Sequence, residues 1–321
     1  MGSKNTLVLE PDNYSVDALA FYGDLGQVYL SLDNVPDKNE VSILVVRLNH
    51  KIDNTLLKSL PNIRWIVSPT TGLNHIDLKV CEEKNIQVFS LNDQPEAIQL
   101  ITSTSELTIG LILSLLRNIN AAHKDVTDNQ NWDRDKFKSR QLSKLTLGII
   151  GLGRVGSHVA DYAHAFGMKV MAYDPYLAEE IFHERNVEQC ELVNLLEQSD
   201  IVSMHAKLNH ENHHLIGMTE LKKMRKHTML VNTARGALLD EAAAALQIEQ
   251  GLLAGIAVDV LEHEHAEMDW WESPLVKAAQ SDYNVLITPH IGGCTSDAMR
   301  ITEEIMAQHV FTKIRENECK K

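Results

Sequence analysis

The stretch Leu145 to Tyr176 reads LTLGIIGLGRVGSHVADYAHAFGMKVMAYDPY. It opens with an apolar run, Leu145 to Ile150, that is too short for a helix and rich in strand formers. Gly151, Gly153 and Gly156 follow in the pattern G-x-G-x-x-G. Val155, Val159, Tyr162, Ala163 and Phe166 then recur at helical spacing, and Gly167 ends the helix. A second apolar strand, Lys169 to Tyr173, finishes on Asp174. Each glycine has its own physical task. Gly151 permits the tight turn, Gly153 lets backbone approach a pyrophosphate, and Gly156 lets the helix pack closely. The helix start offers unpaired N–H groups and a positive dipole end to phosphate. Asp174 falls roughly 20 residues past the glycines, where a carboxylate accepts from ribose hydroxyls. It would repel a 2′-phosphate, so the stretch predicts NAD rather than NADP.

A chain of 321 residues with 44% apolar content suits two domains, each with its own core. No run of 18 apolar residues occurs, so no membrane span is expected. The net charge of -14 argues against nucleic acid. It also means that any anion-binding site has to be basic locally. Cys81, Cys190, Cys294 and Cys319 are scattered, and no signal-peptide pattern opens the chain, so free thiols in a cytoplasmic enzyme are expected. The start MGSKNT matches an N-myristoylation pattern, although a polar lead into the first strand accounts for it equally well.

The first third alternates strands (TLVLE, QVYLSL, SILVVRL, IRWIVS, IQVFSL) with helical patterns at 17–22, 54–60 and 77–84, which predicts a parallel sheet covered on both faces. A long helix is expected from about Pro95 to Ala122. Leu107, Ile109, Leu111, Ile112, Leu115 and Leu116 make it apolar nearly all round, so it should be buried on most sides. A homodimer built partly on this segment is expected. Beyond Asp174 the alternation resumes, with helices at 219–226 and 241–250 and strands at 200–205, 228–232, 253–260 and 284–288. A terminal helix from Ser296 to Arg315 is expected to return to the first domain.

Three strand ends carry chemistry-bearing residues: Asn232-Thr233-Ala234-Arg235-Gly236, Asp259-Val260-Leu261-Glu262-His263-Glu264, and Thr288-Pro289-His290-Ile291-Gly292-Gly293. In a parallel sheet such ends share the edge that binds ligand. Each residue also has a bland reading. His290 is one of 15 histidines, Arg235 could cap a helix, and Glu264 lies in an acidic loop where Glu262 could be confused with it. The Glu/His cluster at 262–267 does not by itself fix a ligand geometry, so no metal is expected.

From VVRLNH through TTGLNHIDL, TSELTIGLIL, GLGRVG, NTARGALLDE and GIAVDVLEHE to TPHIGG, the chain resembles the D-isomer-specific 2-hydroxyacid dehydrogenase family over almost its whole length. The resemblance implies an α/β protein. A Rossmann dinucleotide-binding domain at 99–291 would carry the dimerisation helix. A smaller, discontinuous flavodoxin-like substrate-binding domain would comprise 1–98 and 292–321. It also implies a catalytic Arg235, Glu264 and His290. The backbone at Arg154 and Val155 would face the pyrophosphate. Thr71, Thr233, Ala234, Asp259 and Gly292 would lie along the cofactor, with Asp259 a partner for the carboxamide. Arg47 and the turn Thr70-Thr71-Gly72 would meet substrate; a solvated rim charge is the alternative for Arg47.

The implied roles are chemically sound. Reducing a 2-keto acid needs hydride at carbon and a proton at oxygen, and His290 can deliver that proton. Glu264 can accept from the other ring nitrogen and fix the tautomer. Arg235 offers a planar fork to the substrate carboxylate. Two departures stand out. His205-Ala206-Lys207 replaces an H-x-P pattern, and His265 follows Glu264 where a proline is usual. The stretches VVR, SELT and Trp132-x-Arg134-x-x-Phe137 are similar to the phosphoglycerate dehydrogenase group, here without a regulatory domain. A 3-phosphoglycerate-like acid is therefore the first expectation. Glyoxylate, hydroxypyruvate, D-lactate and an NAD-sensing corepressor remain alternatives; for Trp132 and Phe137 the bland reading is a docked connecting segment.

Overall fold

The structure, a computed structural model, describes residues 4–264 and 269–319. The MGS start, His265 and Glu267 lie outside the described residues. The chain divides into two compact units, Met1–Ile101 with Cys294–Lys321, and Thr102–Gly293. Ile98 and Ile101 pack into the core of the first unit, so its first segment runs three residues past the expected 98.

In the first unit, β1 (Asn5–Val8), α1 (Val16–Gly23), β2 (Val28–Tyr29), β3 (Val41–Val45), α2 (Asn54–Ser59), β4 (Trp65–Ser68), α3 (Leu78–Glu83) and β5 (Gln87–Ser90) follow in order. Side chains placed just ahead of the helices start them. Ser15, Asp53 and Asp77 each accept from a first-turn N–H, which satisfies donors the helix cannot pair. The strands form a parallel sheet in the order β2-β1-β3-β4-β5. Strand periodicity sends neighbouring side chains to opposite faces. Ile43 and Val45 therefore join the core around Tyr22, and Leu44 joins Leu57 on the other side. The expected strand QVYLSL pairs only at Val28–Tyr29. Ser31 then takes the Asp33 N–H and turns the chain away.

The second unit begins with α4 (Ser103–Leu116) and α5 (Ile119–Thr127), where one long helix was expected. Asn118 breaks it with φ 49°, a left-handed conformation that Asn tolerates better than most residues. The leading segment 95–102 is not helical, because Ile98 and Ile101 belong to the other core. There follow β6 (Thr146–Ile150), α6 (Arg154–Ala165), β7 (Lys169–Tyr173), α7 (Glu179–Glu184), β8 (Glu188–Gln189), α8 (Leu192–Gln198), β9 (Ile201–Met204), α9 (Met218–Leu221), β10 (Met229–Asn232), α10 (Glu241–Glu249), β11 (Gly255–Val258), α11 (Pro274–Gln280) and β12 (Val285–Ile287). The helix expected over 219–226 shrinks to α9; beyond it, turns bury Met224 in the core. The last helix, α12 (Ser296–Cys319), belongs to the first unit, where Met306, Ala307 and Val310 meet Ala18 and Tyr22.

The second sheet is parallel, in the order β12-β11-β10-β9-β6-β7-β8. The chain leaves β6 in one direction through β7 and returns on the other side through β9, which makes a topological switch point. The register is level. Ile150 lies opposite Met204, Met204 opposite Asn232, Asn232 opposite Val258, and Val258 opposite Ile287. The residues that follow these positions therefore emerge at one edge. Ile149, Ala172, Val231 and Ala257 face the core that includes Leu111, Ile112 and Leu115 of α4. Ile150, Met204, Leu230 and Val258 face the other core. Among the described residues, no helix is long and apolar enough to cross a membrane.

Candidate active site

The edge begins at the glycine turn. Gly151 has φ +91°, and a Cβ there would lie 2.6 Å from the Ala206 amide nitrogen. Only glycine fits both constraints. A Cβ at Gly156 would strike the Gly151 carbonyl oxygen, so α6 rests directly on the turn. Gly153 is different: nothing lies within 4 Å of where its Cβ would be. It caps α6 with no side-chain hydrogen bond to the first turn. Open space over uncapped N–H groups fits a dinucleotide pyrophosphate. Arg154 and Val155 begin the helix at this spot. Asp174, at the end of β7, accepts from the Leu152 N–H (3.0 Å) and the Tyr176 N–H (3.1 Å). Its carboxylate is thereby held beside the glycine turn, with acceptor capacity left for ribose hydroxyls.

Next along the edge, the buried Asn232 closes the β10 turn on itself. Its side chain accepts from the Ala234 N–H (3.0 Å) and donates to the Arg235 carbonyl (2.9 Å). Gly236 lets this turn lie against the chain at Leu261–Glu262; a Cβ there would collide with the Leu261 carbonyl carbon. Arg235 is left half-buried, donating to the Ala234 carbonyl, and no carboxylate among the described residues forms an ion pair with it. Burial pushes its pKa down, and the nearby charge of Glu264 opposes that. A half-buried guanidinium with a planar fork of donors suits a carboxylate. The buried Thr233 hydroxyl meets that of Thr108 on α4 at 2.9 Å and the His205 ring at 3.5 Å. His205 also contacts the Ser203 hydroxyl at 2.8 Å, and desolvation pushes its pKa down to about 3. The ring is therefore neutral.

At the last two strand ends, His290 Nδ1 lies 2.7 Å from Glu264 Oε1. Both side chains keep about a quarter of their surface exposed. Glu262, the neighbour that sequence alone could confuse with Glu264, turns instead to His213 and His214. His290 has φ 53°, a strained conformation for a non-glycine residue that has to be held in place. Asp259 holds it. The Asp259 carbonyl accepts the His290 N–H (2.8 Å). The Asp259 carboxylate accepts from the Thr288 hydroxyl (2.5 Å), the Ile291 N–H (2.9 Å) and the Gly292 N–H (2.7 Å). Burial raises the Asp259 pKa, against those hydrogen bonds and the His290 charge. Asp259 thus anchors the turn that carries His290, and a carboxylate that accepts three such bonds keeps acceptor capacity on Oδ2. Gly292 packs against the same carboxylate, its virtual Cβ 3.0 Å from Asp259 Oδ2.

In the first unit, the Arg47 fork is committed as well. Nε donates to Glu303 Oε1 at 3.0 Å, a second amino group contacts the same oxygen, the third bonds the Asp12 carbonyl, and Tyr14 lies under the plane at 5.0 Å. Arg47 thus forms an internal ion pair with Glu303. The turn at Thr70-Thr71-Gly72 is closed by its own bonds, Thr70 hydroxyl to Gly72 carbonyl (2.8 Å) and Asn92 to Thr71 carbonyl (2.9 Å). Asn232, and the anchoring role of Asp259, were missed in the sequence. The available signal for Asn232 was a polar residue at the last position of an otherwise apolar strand.

Residues 109–292 match the family model described as D-isomer specific 2-hydroxyacid dehydrogenase, NAD binding domain. The chain is 32% identical over 314 residues to D-3-phosphoglycerate dehydrogenase of Methanocaldococcus jannaschii, covering 96% of this chain and 57% of the relative; it thus spans little more than half of that protein. It is 33% identical to hydroxypyruvate reductase of Thermotoga maritima, covering 86% of this chain and 85% of the relative. Among solved structures, D-lactate dehydrogenase of Aquifex aeolicus, complexed with NAD and lactic acid, superposes with a TM-score of 0.83 at 28% identity, covering 98% of this chain and 96% of that one.

Proposed function

This chain belongs to the D-isomer specific 2-hydroxyacid dehydrogenase family and carries its NAD-binding domain, and we propose that it interconverts a 2-hydroxy acid and its 2-keto acid. The 2.7 Å contact between His290 Nδ1 and Glu264, with the half-buried Arg235 close enough to feel the Glu264 charge, carries this reading. Glu264 occupies one ring nitrogen, which leaves Nε2 of His290 to give a proton to the keto oxygen or take one from the hydroxyl. Arg235 binds the acid's carboxylate through its planar fork and draws charge toward it. Asp259 orients His290 through the turn at 288–292. A nicotinamide cofactor, once bound at the glycine turn, would supply or accept the hydride.

A 3-phosphoglycerate-like acid ranks first as substrate, in keeping with the name of the Methanocaldococcus jannaschii relative. Hydroxypyruvate, glyoxylate and D-lactate come next. Arg47, paired with Glu303, is the cation the resemblance assigns to substrate in this unit. A homodimer belongs to the same reading. Leu107, Ile109 and Leu113 of α4 keep part of their surface open, and Trp132 is 88% exposed. Free thiols at Cys81, Cys190 and Cys294 suit a cytoplasmic setting.

The test is NADH oxidation against a panel of 2-keto acids that includes 3-phosphohydroxypyruvate. The wild type is expected to turn over at least one of them. His290→Ala is expected to lose about 10²- to 10⁴-fold in rate while still binding NADH. A wild type that binds NADH and reduces none of the panel would point to the corepressor-like alternative.

A further inference from the structure

The segment His210-Glu211-Asn212-His213-His214 has no part in the chemistry above. It follows β9, and the fold brings it to Glu262. His213 Nε2 lies 2.9 Å from Glu262 Oε1, and His214 Nε2 lies 3.0 Å from Glu262 Oε2. The two imidazoles are stacked, 4.0 Å between centroids at 26°, so both rings offer the same nitrogen to one carboxylate. One ligand atom from each of the three residues can be chosen so that all lie within 4.8 Å of one another. We propose that His213, His214 and Glu262 form a binding site for a divalent transition metal of the zinc type.

The geometry fits that chemistry. Zinc bonds to His nitrogen and carboxylate oxygen of about 2.0–2.2 Å, set tetrahedrally, place ligand atoms about 3.3 Å apart. The two histidine–carboxylate contacts open by a few tenths of an ångström, and the stacked rings rotate apart about their side-chain torsions so that both Nε2 atoms aim at one ion. Two imidazoles and a carboxylate are a borderline donor set, suited to Zn²⁺ over Mg²⁺ or Ca²⁺. Three protein ligands leave the remaining coordination to water.

The backbones are fixed from separate elements. His214 is held at φ 52°, with its N–H on the Ala237 carbonyl at 2.8 Å. The Glu262 N–H donates to the buried Glu241 at 2.7 Å. The side chains remain accessible, 55% exposed for His213, 35% for His214 and 24% for Glu262. An adjoining cavity of about 570 Å³ is lined in part by Asp240, Glu241, Asp269 and Glu272, which favours entry of a cation. The reason for expecting no metal was that neighbours on one loop do not fix a geometry. Here the ligands come from two segments 48 positions apart. Two histidines hydrogen-bonded to one carboxylate would give the same contacts without any metal, and titration separates the two cases.

The experiment is calorimetric titration of Zn²⁺ into chelator-treated full-length protein, with Co²⁺ as a spectroscopic substitute. The expected result is saturable binding of one Zn²⁺ per chain, with visible Co²⁺ bands of low-symmetry coordination. His213→Ala and Glu262→Gln should each weaken binding by at least about tenfold, and His210→Ala should not. His213 is mostly exposed, so its replacement does not endanger folding. NADH oxidation by His213→Ala should stay near the wild-type rate, because His213 lies outside the catalytic set. Absence of saturable binding, or affinity unchanged in both His213→Ala and Glu262→Gln, overturns the proposal.

Discussion

Arg47 and Arg235 occupy equivalent places in two sheets. Each follows a buried strand of a parallel sheet, Arg47 after β3 and Arg235 after β10. Each was expected to hold an anionic substrate group. Their partners differ. Arg47 meets Glu303, which is 1% exposed, and spends its donors on that carboxylate and on Asp12. Among the described residues no carboxylate forms an ion pair with Arg235, and burial destabilises its charge while nearby Glu264 opposes that. One guanidinium is neutralised by the protein that contains it; the other we propose to be met by the substrate's carboxylate. Position at a strand end selects candidates for binding, and the supply of counter-charge decides among them.

The largest expected effect falls on the paired arginine. Glu303→Ala strands Arg47 in a half-buried site, and removing one partner of a buried pair costs about 3–5 kcal/mol. Chemical denaturation should show that loss. If stability is unchanged, the pair is ornamental and the contrast between the arginines fails. Arg235→Lys should do the opposite: little change in stability, with kcat/KM for the keto acid falling about 10²-fold as the planar fork is lost. A large fall in stability with intact kcat/KM would exchange the roles of the two residues.

A smaller effect comes from His205, a neutral ring at the same edge. Its folded pKa of about 3 lies below the unfolded value. Stability from the neutral ring is complete above about pH 6.5. It declines as pH falls toward 3, because the unfolded chain takes up the proton first. The slope is at most about 1.4 kcal/mol per pH unit. His205→Asn should flatten the acid limb of the stability curve; an unaltered limb would mean that His205 is solvated.

Much of this contrast was legible in the chain and part was not. The glycine turn, the alternation of elements and the three loaded strand ends are local patterns, and level strand register converts them into one edge. Glu303 lies 256 positions from Arg47, and no local pattern announces the pair. The break at Asn118 was hidden by apolar periodicity continuing on both sides. The hold of Asp259 on the turn at 288–292 was not legible, because a carboxylate at a strand end gives no local sign of which backbone N–H groups it will meet. The resemblance singled out Glu264, but the residues alone left Glu262 open; folding sets His213 and His214 beside Glu262 and His290 beside Glu264.

The central claim is that Glu264 and His290 act as one unit on the substrate. A double-mutant cycle in kcat/KM tests it most directly, with Glu264→Gln, His290→Asn and the double variant assayed on the same 2-keto acid. If the two act together, the double variant is no slower than His290→Asn alone, because Glu264 works only through the ring. Losses that simply multiply would show two independent contributions and contradict the account.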